Sequence, residues 1–164
     1  AIRLIAAFLG ALFFLPPAAW TACAALVLVV GAWEWAGFAR VAAGGRLAYA
    51  ALMGVAAVVA AVALGLAGGR TDAPSAVYAL YGAAVLFWVF GAPLWLRRHA
   101  PPAPRGLVLL AGWVVLIPTF LALVHLRNMH PLTLLGFMII VWIADIAAFF
   151  SGRRFGRHKL APHV

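Results

Sequence analysis

The chain has 164 residues, of which 68% are hydrophobic and 9% charged, with 12 lysines and arginines against 3 acids for a net charge of +9. A soluble domain carries about a quarter charged residues and about half apolar ones, so this composition, with a mean hydropathy of +1.12, excludes a soluble globular protein and makes lipid the solvent. The basic residues sit in short gaps between long apolar runs and do not line one polar face, which argues against nucleic-acid binding and fits determinants of membrane topology.

A helix needs about 20 apolar residues at 1.5 Å rise to cross a hydrocarbon core of roughly 30 Å. On that scale the chain predicts an all-α, polytopic membrane bundle forming one transmembrane domain over residues 1–164. Its six spans lie near residues 1–15, 18–38, 47–67, 76–96, 106–125 and 132–152. The first span is short and starts at Ala1 with no methionine, so a trimmed start is expected. Arg3 followed by apolar residues to Leu15 has the outline of a secretory signal. However, Trp20 is bulky where a cleavage site needs a small residue, and the apolar sequence runs on to Phe38. Pro16 and Pro17 lack backbone donors and separate the first two spans. The single cysteine, Cys23, excludes an internal disulfide or thiolate cluster and reads as a small packing residue in the second span.

Glycine- and proline-rich breaks follow at residues 42–46, 68–75, 97–105 and 128–131. With a cytoplasmic amino terminus, alternate loops place Arg3, Arg40, Arg46, Arg97, Arg98, Arg105, Arg153, Arg154, Arg157 and Lys159 inside. Only Arg70 and Arg127 then lie outside. That asymmetry predicts both termini in the cytoplasm. Trp20, Trp33, Trp35, Tyr49, Tyr78 and Trp95 fall near span ends and read as interfacial anchors.

Of the three acids, Asp72 falls in an external loop and reads as a solvated charge. Glu34 and Asp145 lie inside apolar runs, where ionisable groups are costly and mark functional positions. Both sit roughly 6 to 10 Å inside the cytoplasmic boundary at 1.5 Å per residue. Glu34 stands between Trp33 and Trp35, where it can snorkel to water or act directly. Asp145 lies beside Ala144, Ala148 and Gly152, whose four-residue spacing allows close helix approach, so it is expected to face protein or a water-filled cavity.

Directly after it come Arg153, Arg154, Arg157, His158 and Lys159, with Gly152 and Gly156 loosening the backbone. Such a run can bind phosphate, and it can equally anchor topology and attract anionic headgroups. His125 and His130 flank the outer turn without a third ligand, which argues against a metal site there.

The segment VWIADIAAFFSGRRFGRHKLAP (residues 141–162) resembles that of bacterial phosphatidate cytidylyltransferases, the CDP-diacylglycerol synthases. There an intramembrane aspartate precedes an aromatic residue, a glycine-basic turn and an FGKHKLAP-type run. GAWEWAGFAR (residues 31–40) is similar to that family's amino-terminal tryptophan-glutamate-tryptophan element. Where the family has Asp-Ser/Thr-Gly, this chain has Asp145-Ile146-Ala147, so those two neighbours supply no hydroxyl or glycine.

The resemblance implies transfer of a cytidylyl group from CTP to phosphatidate, with magnesium, at the cytoplasmic face of a bacterial inner membrane. Asp145 would be the catalytic, magnesium-binding acid, and Arg153, Arg154, Arg157, His158 and Lys159 would bind the substrates. It covers a little more than the first half of the family's length, so residues 1–164 alone are expected to be inactive. A small proton-coupled transporter using Glu34 or Asp145 and an accessory membrane scaffold are the alternative readings. A homodimer is among the assemblies the sequence leaves open.

Overall fold

A computed structural model describes residues 2–97 and 104–156, and among these the regular structure is entirely helical. In chain order the helices are α1 (Ile2–Phe14), α2 (Pro17–Phe38), α3 (Ala43–Ala63), α4 (Ser75–Leu86), α5 (Ala92–Arg97), α6 (Arg105–Met129) and α7 (Pro131–Phe155). A 3₁₀ turn (Leu66–Gly68) follows α3, and a π-helical turn (Phe87–Gly91) fuses α4 to α5. Five of the resulting rods are long and apolar enough to cross a membrane: α2, α3, the α4–α5 rod, α6 and α7. The 13-residue α1 is only about 20 Å long at 1.5 Å per residue.

Proline starts several of these helices, because its fixed φ suits the first turn and its missing donor costs nothing there. Pro17 and Pro131 hold such positions in α2 and α7. The Nδ1 of His130 accepts the Leu132 N–H at 3.2 Å, capping α7 one residue after α6 ends. Gly65 and Gly69 take φ of 73° and 91° between α3 and α4, a left-handed conformation that a side chain would strain. The predicted breaks shift accordingly. Gly44 and Gly45 belong to α3, and the helical register of α7 continues through Gly152, Arg153 and Arg154 to Phe155.

The core is built from small residues, since lipid gives helices no hydrophobic drive to associate and close backbone approach must supply the packing. Ala24, Ala25, Leu28 and Ala32 of α2 pack with Ala50, Met53, Ala57 and Ala61 of α3. A side chain at Gly54 would meet Val29 at 2.6 Å. Phe120, Leu121 and Val124 close the cluster from α6. Cys23 lies exposed on α2, away from this seam, and so does not pack in it.

At one end of the bundle, polar side chains near the end of α6 reach three other segments. Arg127, only 8% exposed, donates from Nε to the Leu12 carbonyl at 3.2 Å and from Nη2 to the Leu15 carbonyl, and its guanidinium lies 6.0 Å from the Trp20 ring. It therefore caps the carboxyl end of α1, where unsatisfied carbonyls carry partial negative charge. His125 donates from Nε2 to the Thr71 carbonyl at 2.9 Å, since that oxygen can only accept, and its ring stacks on Tyr81. Asn128 donates to the carbonyls of Leu66 (2.7 Å) and Arg70 (3.3 Å). The ends of α1 and α6 and the α3–α4 connection thus share one face. Arg40, Arg46 and Arg105 stand at helix ends on the opposite, basic face.

Single cysteines placed at Ser75 and Arg105 in a Cys23→Ala background should react with an impermeant maleimide from opposite sides of a sealed vesicle. Labelling of both from the same side is incompatible with this arrangement.

Candidate functional site

On the basic face, the ends of α2, α5 and α6 enclose an aromatic groove of about 330 Å³. Trp35 and Phe38 of α2, Trp88 and Trp95 of the α4–α5 rod, and Val108 and Ala111 of α6 contribute to its wall, with Phe87 and Ala92. Its geometry depends on two local devices. In the first, Trp35 donates from Nε1 to the Val108 carbonyl at 2.7 Å, while the Tyr49 hydroxyl donates to the neighbouring Leu109 carbonyl at 2.8 Å. Both ring systems reach the α6 backbone through the space left by Gly112. A Cβ there would lie 2.4 Å from Tyr49 Oη and 2.7 Å from Trp35 Nε1.

The second device is the π turn. The Ala92 N–H donates to the Phe87 carbonyl, five residues back, so Phe87 and Ala92 become neighbours along the rod. A regular helix would turn them apart, because its bonds join residues four apart. The turn thereby places Phe87 on the same side of the rod as Ala92, and both line the groove.

Trp20 and Trp35 correct the expectation that all the terminal aromatics are interfacial anchors. Trp20 is buried and donates from Nε1 to the Leu123 carbonyl at 3.3 Å, and Trp35 is half-buried against α6. Both tie helices together. The sequence signal for this role was a glycine inside an apolar span, Gly112, yet nothing in the sequence shows which aromatic residue fills its space.

The two intramembrane acids take different positions. Glu34 is exposed on α2, one turn before its end. Asp145 lies on the second half of α7, which leaves the bundle. Leu134 is the helix's buried residue, Leu135 and Met138 pack beside it, and residues 139–156 are all exposed. The expected close approach along Ala144, Ala148 and Gly152 is not made by the described residues: nothing lies within 4 Å of a Cβ placed on Gly152. Phe8 of α1 reaches Trp142 edge-to-face with ring centroids 6.0 Å apart, but the stripe bearing Asp145 remains open. Arg153 and Arg154 are exposed a little over two turns beyond Asp145 on the same helix, while Arg157, His158 and Lys159 lie outside the described residues. Among the described residues no three His, Cys, Asp or Glu side chains gather closely enough to hold a metal ion.

A polytopic helical membrane protein with a basic face, one intramembrane carboxylate on an open helix and an aromatic groove nearer the same face is the class that fold and site define. Over residues 1–164 the chain matches the model of the cytidylyltransferase family, and it belongs to that family. It is 34% identical over 171 residues to the phosphatidate cytidylyltransferase of Pseudomonas aeruginosa, and 34% identical over 181 residues to that of Haemophilus influenzae. Both alignments take in 100% of this chain but 59% and 62% of the relatives, so the chain spans about three fifths of their length. No solved structure matches it significantly.

Gly112→Ala should push Trp35 and Tyr49 off the α6 carbonyls, and the overpacking should cost about 1 to 3 kcal/mol. Thermal unfolding in detergent will read this as a lowered midpoint. Gly106→Ala, where a Cβ meets nothing, should not lower the midpoint, since alanine suits a helix better than glycine.

Proposed function

We propose that the full-length protein transfers a cytidylyl group from CTP to phosphatidate, forming CDP-diacylglycerol and pyrophosphate at the cytoplasmic face of a bacterial inner membrane. The observation that carries this reading is the family match over the whole chain, together with an intramembrane carboxylate followed on the same helix by Arg153 and Arg154. In this reaction a phosphatidate oxygen attacks the α-phosphorus of CTP. A new P–O bond forms, the bond to the β-phosphate oxygen breaks, and pyrophosphate leaves with the electron pair.

Because the lipid phosphate is itself the nucleophile, the protein has to position two polyanions and neutralise their charge. Arg153 and Arg154, continued by Arg157, His158 and Lys159, suit that task, since guanidinium groups donate in a fork that matches phosphate oxygens. Magnesium is the expected counter-ion. The described residues do not form a site for it, because a hard cation takes about six oxygen ligands and Asp145 supplies a single carboxylate. We assign Asp145 as one ligand of a site completed by segments within the two fifths of the relatives' length that this chain does not span. The open stripe of α7 is the surface on which such segments would pack.

In the full-length protein, Asp145→Asn keeps the side-chain volume and removes the charge. Labelled-CTP turnover should fall by orders of magnitude with the thermal midpoint retained, and near-normal turnover with unaltered magnesium dependence would overturn the assignment. Arg153→Ala should chiefly raise the apparent KM, because a positioning charge is lost while the carboxylate remains. Purified residues 1–164 should show no phosphatidate-dependent turnover.

A further inference from the structure

The groove between α2, the π turn with α5, and α6 lies outside the α7 stripe and is not explained by the chemistry assigned to Asp145. Its wall is aromatic and aliphatic, yet in a bilayer an apolar groove gains little by exchanging one lipid tail for another, since tails and groove are equally apolar. Any selectivity must come from the end of the groove that meets the headgroups. Three arginines stand at helix ends on that face of the bundle. Arg105 opens α6, one turn before Val108. Arg40 follows Phe38 by two residues. Arg46 lies against the last turn of α2: it donates from Nε to the Val41 carbonyl at 2.8 Å, and its Nη1 lies 3.1 Å from where a Gly37 Cβ would stand.

Arg40 adds an independent observation. The Val41 N–H bonds to the Ala36 carbonyl at 3.2 Å and the Arg40 N–H to the Gly37 carbonyl at 2.9 Å. This is the Schellman ending, in which the residue at Arg40 is ordinarily glycine. Arg40 holds φ at 54° there, the positive φ found among the described non-glycine residues, and a side chain in that conformation is strained. Strain kept at a site where glycine would relieve it points to a use for the side chain, and the Arg40 side chain is exposed.

We propose that this groove holds an acyl chain of phosphatidate, with its phosphate monoester at Arg40, Arg46 and Arg105. A monoester carries about −1.5 to −2 charges and three acceptor oxygens, which suits several guanidinium forks better than the single charge of a diester headgroup does. The π turn serves this use by placing Phe87 beside Ala92 on the groove wall. A larger apolar trough of about 560 Å³ between α2 and α3 has only aliphatic side chains and Gly54 in its lining, and it provides an internal reference for unselective lipid contact. The proposal rests on the cytidylyltransferase reading for its choice of lipid, but lipid capture can be measured without turnover.

The test places the full-length protein in phosphatidylcholine nanodiscs doped with a diazirine-bearing acyl chain carried on phosphatidate, on phosphatidylglycerol or on phosphatidylcholine. Adducts are mapped by peptide mass spectrometry. Phosphatidate should label Phe38 and residues 87–95 well above the other two carriers, while all three label the α2–α3 trough alike. Arg40→Gly relieves the backbone strain and removes a charge. It should lower groove labelling by phosphatidate about fivefold, the effect of one basic residue at the membrane surface, without lowering the thermal midpoint. Ala92→Leu should reduce the groove adducts by filling it with all three arginines in place, and the thermal midpoint reports whether the fold is kept.

Equal labelling by phosphatidate and phosphatidylcholine would mean that the groove holds bulk lipid. Equal labelling by phosphatidate and phosphatidylglycerol would mean a general anionic-lipid site, and no groove adducts from any carrier would mean that protein covers it. Each of these results overturns the proposal. If groove selectivity is lost while turnover in the same preparation persists, only the lipid groove fails; if selective labelling persists in a protein without turnover, the cytidylyltransferase reading fails.

Discussion

Hydrocarbon offers no water to a helix, so each polar group placed in it must find a partner within the protein, and in this bundle those partners converge on α6. At the basic face its Val108 and Leu109 carbonyls accept from Trp35 and Tyr49. At the other face its own side chains, His125, Arg127 and Asn128, reach the carbonyls of Thr71, Leu12, Leu15, Leu66 and Arg70. Bonds of this kind contribute only about 0.6 to 2 kcal/mol each in a membrane, but they are directional. They set which helix ends meet, a matter on which the alanine-rich packing between α2 and α3 is silent.

The pinning of α6 has a consequence for the chemistry. Helices α2, α3 and α6 supply most of the buried core, whereas α7 touches it through Leu134, Leu135 and Met138 and then departs from it. Asp145 therefore stands on an open surface well inside the membrane region, where a lone carboxylate is expensive. That cost is why a carboxylate in this position calls for partners. The aromatic groove is built differently: helix ends pinned by Trp35 and Tyr49 form one wall and the largely exposed α4–α5 rod forms the other.

Much of this was legible in the residues. Apolar run length determined the division into helical segments, because the thickness of hydrocarbon sets a minimum length that no packing detail changes. The scarcity of acids singled out Asp145, because burying a charge is costly whatever surrounds it, and the motifs around it and around Trp35 carried the family. Side-chain partnership was not legible. Trp20 and Trp35 sit where interfacial anchors sit, and only the crossing of helices shows them donating to α6. The π turn at Phe87–Gly91 leaves no mark in the hydropathy pattern; its one local sign is Pro93 just after it, which has no N–H to donate to the carbonyl four residues back. The small-residue stripe of Ala144, Ala148 and Gly152 says that close approach is permitted without saying which helix comes. Sequence alone thus determined what must be in the membrane and which charges are out of place there, because those are properties of single residues and their solvent. Only the tertiary structure decided which polar groups satisfy one another, because a hydrogen bond depends on the relative placement of two segments far apart in the chain.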